Sequence, residues 1–65
     1  MKTTFNIQYK GVWLDVNVKR GKSALDGKHW AYTREVRHAD ETITDILDPL
    51  ALSQIDRIVE KELNQ

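Results

Sequence analysis

Residues 3–19, TTFNIQYKGVWLDVNVK, decide the fold, because apolar and polar side chains alternate along two adjacent runs of this stretch. A period of two is typical of half-buried β-strands, so the pattern predicts strands at about 2–9 and 12–19. Lys10 and Gly11 separate the runs, and glycine readily adopts the positive φ that a tight hairpin turn needs. A two-residue turn also collects the apolar side chains on one face of the hairpin. Turn length and face parity therefore predict the same antiparallel hairpin.

The next segment predicts a loop followed by a third strand. Residues 20–28 hold two glycines and three basic residues, a composition typical of a loop. Residues 29–38 predict a strand whose apolar face holds Trp30, Tyr32 and Val36. The opposite face is predicted to hold Ala31, Thr33, Glu35 and Arg37. Arg34 interrupts the apolar face, so either it lies near a sheet edge or the strand is bulged there.

One helix is predicted at about 49–63. Asp48 is a favourable N-cap residue, and Pro49 suits the first helical position. Apolar residues then recur on one helical face, at Ala51, Leu52, Ile55, Ile58, Val59 and Leu63.

These elements predict an α+β fold in a single small domain, residues 1–65. A three-stranded antiparallel meander (about 2–9, 12–19 and 29–38) is packed by one C-terminal helix (about 49–63). The first and third strands are expected to form the two edges of the sheet.

Composition limits the classes of function. The 65-residue chain has no cysteine, which excludes disulfides, thiolate metal ligands and a thiol nucleophile. Its net charge is zero, but residues 1–38 carry eight Lys or Arg and three Asp or Glu, whereas residues 39–65 carry two and seven. The halves therefore have formal charges of +5 and −5, which either attract within the fold or serve a partner.

The N-terminus predicts a cytoplasmic location. The sequence Met-Lys-Thr-Thr-Phe turns polar at once, unlike a signal peptide. No apolar run approaches the roughly 20 residues of a membrane-spanning helix, so no membrane partner is expected.

The order of motifs resembles that of small uncharacterised proteins of tailed phages and prophages. The resemblance rests on Phe-x-Ile-x-Tyr-x-Gly-x-x-x-Asp-Val from Phe5, a third strand, Ile-Thr-Asp-Ile-Leu from Ile43, and a short acidic C-terminal helix. It implies a phage or prophage origin and a cytoplasmic accessory role, and it supplies no catalytic residues. A Pro/Gly-rich tract that many of these proteins carry between strands is replaced here by the basic loop 20–28.

No enzyme activity is expected, and no catalytic, cofactor-binding or metal-binding residue is predicted. If the third strand is straight, His29 and His38, nine residues apart, point to opposite faces and cannot join in one metal site, which needs three or four converging ligands. Gly21-Lys22-Ser23 matches the end of a phosphate-binding loop but lacks the first glycine and the following helix.

Trp13 is the strongest candidate for a binding residue. The hairpin register places it on the sheet face away from the helix, beside Gln8. Three interpretations stay open: Trp13 covers the sheet, forms a contact between copies of the chain, or binds a different protein. The predicted partner-binding set is Trp13, Gln8, Asn6, Asn17 and Arg37.

The sequence favours a small non-enzymatic protein-interaction module that binds a host or phage protein or itself, with a homodimer as one form. The alternative is a nucleic-acid-binding accessory protein that uses the basic loop 19–29. Its candidate residues are Lys19, Arg20, Lys22, Lys28 and His29. The pI of about 6.7 is far below that of typical nucleic-acid-binding domains, and this favours a solvated loop.

Overall fold

Residues 2–65, which the computed structural model describes, form one antiparallel sheet and one helix. The elements are β1 (Thr4–Tyr9), β2 (Val12–Lys22), β3 (His29–His38), β4 (Glu41–Thr42), a 3₁₀ turn (Thr44–Ile46) and α1 (Pro49–Leu63). The strands lie in the order β1-β2-β3-β4, so the sheet is a meander. The predicted α+β class and the C-terminal helix are confirmed.

The prediction of three strands misses one short strand. Arg37 pairs with Thr42 and His38 with Glu41, after a turn in which Ala39 has a φ of 55°. A two-residue strand is too short to show a period of two, so the alternation of side chains did not reveal it.

β1 and β2 form the predicted hairpin in the predicted register. Tyr9 pairs with Val12, and the ladder continues without a shift to the start of β1. Lys10 and Gly11 have φ values of 50° and 81°. Positive φ at both central residues is what a type I′ turn requires, and the twist of this turn matches that of the strands.

β2 is longer than predicted. The predicted loop at 20–28 is wrong for its first three residues, which continue β2 and pair with the start of β3. Gly21 pairs there with Trp30, whose indole occupies the space where a Gly21 Cβ would stand. The loop itself is 23–28, and it closes through a hydrogen bond from the Ser23 N–H to the Lys28 carbonyl oxygen (2.9 Å).

A bulge interrupts the pairing of β2 with β3. Asn17 pairs with Glu35, but the next residue, Val18, pairs with Thr33. Arg34 is therefore the extra residue, which agrees with one of the two alternatives that its position raised.

The bulge shifts the parity of β3, so the predicted faces of its first half are wrong. Ala31 is buried and Thr33 bonds to the helix, although both were expected on the opposite face. Trp30 and Tyr32, predicted as core, are 39% and 50% exposed on the other face. Val36, beyond the bulge, is fully buried as predicted.

The core lies between one face of the sheet and α1. Its buried side chains are Phe5, Ile7, Leu14, Val16, Val18, Ala31, Val36, Ile55 and Val59. No polar or charged residue among residues 2–65 is buried with them. Partly buried side chains pack around this core, namely Tyr9, Ile43, Leu47, Leu52, Ile58 and Leu63.

α1 begins where the sequence predicts. Asp48 is the N-cap, and its Oδ1 accepts a hydrogen bond from the Ala51 N–H (2.7 Å), while Pro49 occupies the first turn. Ile55 and Val59 of the predicted apolar face are fully buried against the sheet.

Polar side chains of α1 and of its C-cap residue, Asn64, cover part of the edge of β3. The N–H groups of alternate β3 residues each donate to one of these side chains, and these contacts shield the edge from other strands. These bonds run from His29 to Asn64 (2.8 Å), from Ala31 to Glu60 (3.2 Å) and from Thr33 to Asp56 (2.6 Å). The expectation that β3 forms an open edge is wrong over this half, and β4 pairs with its other end.

Within the described part of the chain, residues 2–65, the oppositely charged halves do not meet as ion pairs. Among residues 2–65, the one pair within 4 Å joins Arg37 to Glu35 (3.9 Å), both from the positive half. Asp56 and Glu60 of the negative half accept hydrogen bonds from backbone N–H groups instead. No ion pair among the described residues therefore joins the positive half to the negative half.

Candidate interaction surface

The outer face, defined here as the side of the sheet away from α1, carries Trp13 near one end. Leu14 and Val16 point to the core, so the intervening positions of β2 point outward. Trp13 is 59% exposed and lies opposite Gln8 of β1. Its indole is one of the largest apolar surfaces that residues 2–65 present to solvent.

The five predicted partner-binding residues all lie on the outer face. Trp13, Gln8 and Asn6 form one group at the hairpin end, because Gln8 pairs with Trp13 and Asn6 is two residues along β1. Arg37 lies across β2 from Asn6, because both residues pair with Asp15, and Asn17 is two residues further along β2. Asn17 and Arg37 line a shallow depression of about 340 Å³. The structure therefore places the five residues on one face, at neighbouring positions of β1, β2 and β3.

Hydrogen bonds within the face hold several of these polar groups. The side-chain amide of Asn6 donates to Asp15 Oδ1 (3.0 Å), and that of Asn17 donates to Thr4 Oγ1 (3.2 Å). Arg37 donates to the carbonyl oxygen of Asp40 (3.2 Å) and lies near Glu35. These polar groups of the outer face are thus held in place before a partner binds, which lowers the entropy lost on binding.

A second aromatic pair lies at the opposite end of the outer face. Trp30 pairs with Gly21 and Tyr32 with Lys19, eight and six positions along β2 from Trp13. At about 3.3 Å per residue, Trp30 is roughly 26 Å from Trp13 along the strand. Sequence reasoning missed this pair because Arg34 left the bulge undecided, and the bulge determines which way both side chains point.

The predicted nucleic-acid residues are divided between different surroundings. Lys19 lies on the outer face opposite Tyr32, and Lys28 is exposed in the loop. Arg20 points to the inner side, where it donates to the Lys2 carbonyl oxygen (2.8 Å) and its guanidinium lies 6.0 Å from the Phe5 ring centre. Lys22 pairs with the half-buried His29 at the end of β2. The structure thus brings Lys19 to an aromatic residue but assigns Arg20 to the sheet's own packing.

Asp26 orders the loop 23–28. The Lys28 N–H donates to its carboxylate (3.0 Å), and this bond holds the pKa of Asp26 below its ordinary value. A lowered pKa in the folded state stabilises the loop above the unfolded-state pKa. That contribution is lost as the pH falls through the lowered value, so it is present throughout the neutral range.

The described residues supply no arrangement for metal chemistry. Within residues 2–65, no group of three or more His, Asp or Glu side chains is placed to hold a metal ion. In the same part of the chain, no helix has both the length and the apolar character needed to cross a membrane.

Comparison with known proteins adds no relative. No protein-family model, curated protein or solved structure matches the chain. The functional argument therefore rests on the outer face and on the edges of the sheet.

Proposed function

We propose that the chain is a small non-enzymatic protein-interaction module that binds another protein through the outer face around Trp13. The observation that carries the proposal is a tryptophan that is 59% exposed on the outer face. Tryptophan is enriched in protein interfaces, where a large apolar ring surrounded by polar groups makes a strong contact. Gln8 and Asn6 provide such polar groups beside it.

The proposed setting is the cytoplasm of a bacterial host, where the chain would act as an accessory protein of a phage or prophage. The resemblance of its motif order to small phage proteins supports this setting. The mixed polar and aromatic outer face supports an interaction role rather than catalysis, since the described residues bury no titratable side chain in a cleft.

Affinity capture from a bacterial extract tests the proposal, with three baits: the parent, Trp13→Ala and Leu25→Ala. Leu25 is 99% exposed in the loop 23–28, so its truncation removes a similarly accessible apolar side chain away from the outer face. We expect that proteins retained by the parent and by Leu25→Ala are lost with Trp13→Ala. A Trp13→Ala bait that folds, as judged by thermal melting, and retains every captured protein would overturn the proposal.

Nucleic-acid binding is a second candidate function, favoured by one observation. The bulge brings Trp30 and Tyr32 to the outer face, and Tyr32 lies opposite Lys19. Exposed aromatic rings on which bases stack, next to lysines that contact phosphates, are typical of single-strand binding surfaces. This candidate uses the end of the outer face away from Trp13, so variants at the two ends separate the two functions.

A further inference from the structure

The two long edges of the sheet have different surroundings. The first half of the edge of β3 is covered by Asp56 and Glu60 of α1 and by Asn64, which follows α1. β1 is the other terminal strand, and within residues 2–65 no further strand pairs with it. Proteins commonly protect such an edge with charged residues, proline or a bulge. β1 (Thr4–Tyr9) has none of these, because its sequence is TFNIQY and its ladder is regular.

The direction of the backbone groups of β1 follows from one hydrogen bond. The Val18 N–H donates to the Thr3 carbonyl oxygen (2.8 Å), so this is a hydrogen-bonded pair. Such pairs alternate along an antiparallel ladder, so the odd-numbered residues of β1 bond to β2. Thr4, Asn6 and Gln8 therefore direct their N–H and carbonyl groups away from the sheet.

We propose that β1 pairs with β1 of a second copy of this chain, antiparallel and about a two-fold axis at Asn6. This register places Thr4 opposite Gln8 of the second copy and uses all three outward-directed residues. A shift by two residues towards the turn would leave Thr4 opposite Lys10 of the second copy, beyond the end of its strand. An antiparallel pair of identical edges closes as a dimer, whereas a head-to-tail contact would leave an edge open.

The helix beside β1 favours a second copy over an unrelated strand. A groove of about 420 Å³ lies between β1 and the last turns of α1. Its lining includes Ile58, Lys61 and Glu62 of the helix and Trp13 of β2. Each copy presents Lys61 and Glu62 beside its own β1, so the same groove carries one charge of each sign in both copies. The surface therefore complements itself in charge, with an apolar Ile58 on each side.

This inference rests on the proposed interaction role and names a second copy of the chain as one partner. The surface involved is the β1 edge of the sheet, and the test measures the mass of the purified protein alone in solution. A monomeric parent would overturn the edge pairing and leave the Trp13 proposal to its own capture experiment.

Three double variants test the pairing and its register, by light scattering after size exclusion at matched concentrations. Thr4→Lys/Gln8→Lys and Thr4→Glu/Gln8→Glu each place like charges opposite one another at both ends of the interface. Like charges directly opposite destabilise a strand pair. We expect each variant to dimerise at least about tenfold more weakly than the parent, and an equimolar mixture of the two to recover the dimer.

The matched control is Thr4→Lys/Gln8→Glu, which has as many new charges but places Lys opposite Glu at both ends. We expect it to remain dimeric, and a monomeric control would overturn the register centred on Asn6. Thermal melting reports whether each variant folds.

Asn6→Pro, compared with Asn6→Ala, gives a second test. Proline removes the outward N–H at the axis and leaves the ladder to β2 intact, so it alone should yield monomers, and an unchanged dimer would overturn the pairing.

Discussion

Trp13 and Leu14 are adjacent in β2, yet their side chains lie on opposite faces of the sheet. Leu14 is 3% exposed beneath α1, whereas Trp13 points to solvent on the outer face. We predict that Leu14→Ala lowers the free energy of unfolding by about 2–5 kcal/mol, because truncation leaves a cavity in a small core. Trp13→Ala should cost about 1 kcal/mol or less. Denaturant unfolding of both variants checks this, and equal losses would contradict the assignment of faces.

Gly21 has a specific steric role, because any side chain there would overlap the indole of Trp30. We predict that Gly21→Ala displaces the indole towards solvent, shifts its fluorescence to longer wavelength and destabilises the fold by about 1 kcal/mol. In a Trp30→Ala background the same substitution should be neutral or slightly stabilising, since alanine restricts the unfolded chain more than glycine. Additive losses in this double-mutant cycle would show that the two residues do not interact.

At the scale of secondary-structure elements, α1 stabilises β3 through hydrogen bonds to the N–H groups on its outer edge. These N–H groups do not bond to β2, so the pairing of β3 within the sheet is unaffected. Asp56 accepts from both the N–H and the hydroxyl of Thr33. We predict that Asp56→Ala costs about 1.5–3 kcal/mol of stability, in the range for hydrogen bonds to a charged group. Hydrogen exchange at the Thr33 amide should accelerate.

The neighbouring Arg57→Ala is the control for Asp56→Ala. Arg57 is exposed on the same helix, and its truncation should change stability by no more than about 0.5 kcal/mol. Unchanged exchange at Thr33 in the Asp56 variant would show that another group protects this edge.

The elements differ in how far the sequence determines them. The hairpin was predictable because the two-residue turn and the alternation of side chains each specify the same register. The capped start of α1 was predictable because Asp48 and Pro49 act through neighbouring residues alone. The covered edge of β3 was not predicted, although Asp56, Glu60 and Asn64 recur at a helical spacing of four. Their role depends on which flank of the helix meets the strand, and this is a tertiary property.

The outer face was predicted correctly where it depends on the hairpin and wrongly where it depends on β3. Trp13 and Gln8 have their predicted places, because parity within the hairpin is local. Trp30 and Tyr32 do not, because the sequence allowed either a regular strand or a bulge at Arg34. Packing of Ala31 and Thr33 against α1 distinguishes the two, and only the folded chain contains that information.

For the whole molecule, zero net charge limits any role in nucleic-acid binding. Binding to a single-stranded oligonucleotide would rest on a few lysines near Trp30 and Tyr32, namely Lys19, Lys22 and Lys28. About three phosphate contacts predict a slope of about −2 in the logarithm of affinity against that of salt concentration. We predict weak binding that is lost steeply as salt rises, measured by fluorescence anisotropy of a labelled oligonucleotide. Tight binding whose affinity does not change with salt concentration would contradict the protein-interaction role proposed for the chain.

The bulge at Arg34 has a genetic consequence. Without Arg34, alternation along β3 would run unbroken through Trp30, Ala31, Tyr32 and Thr33 to Val36, and every side chain would keep the face that it has now. Loss of this one codon is therefore expected to have little effect on stability. Deletion of a single codon within β2 would instead turn the side chains beyond it to the opposite face and expose core residues. Length variation among descendants of this gene should accordingly concentrate at codon 34 and in the loop 23–28.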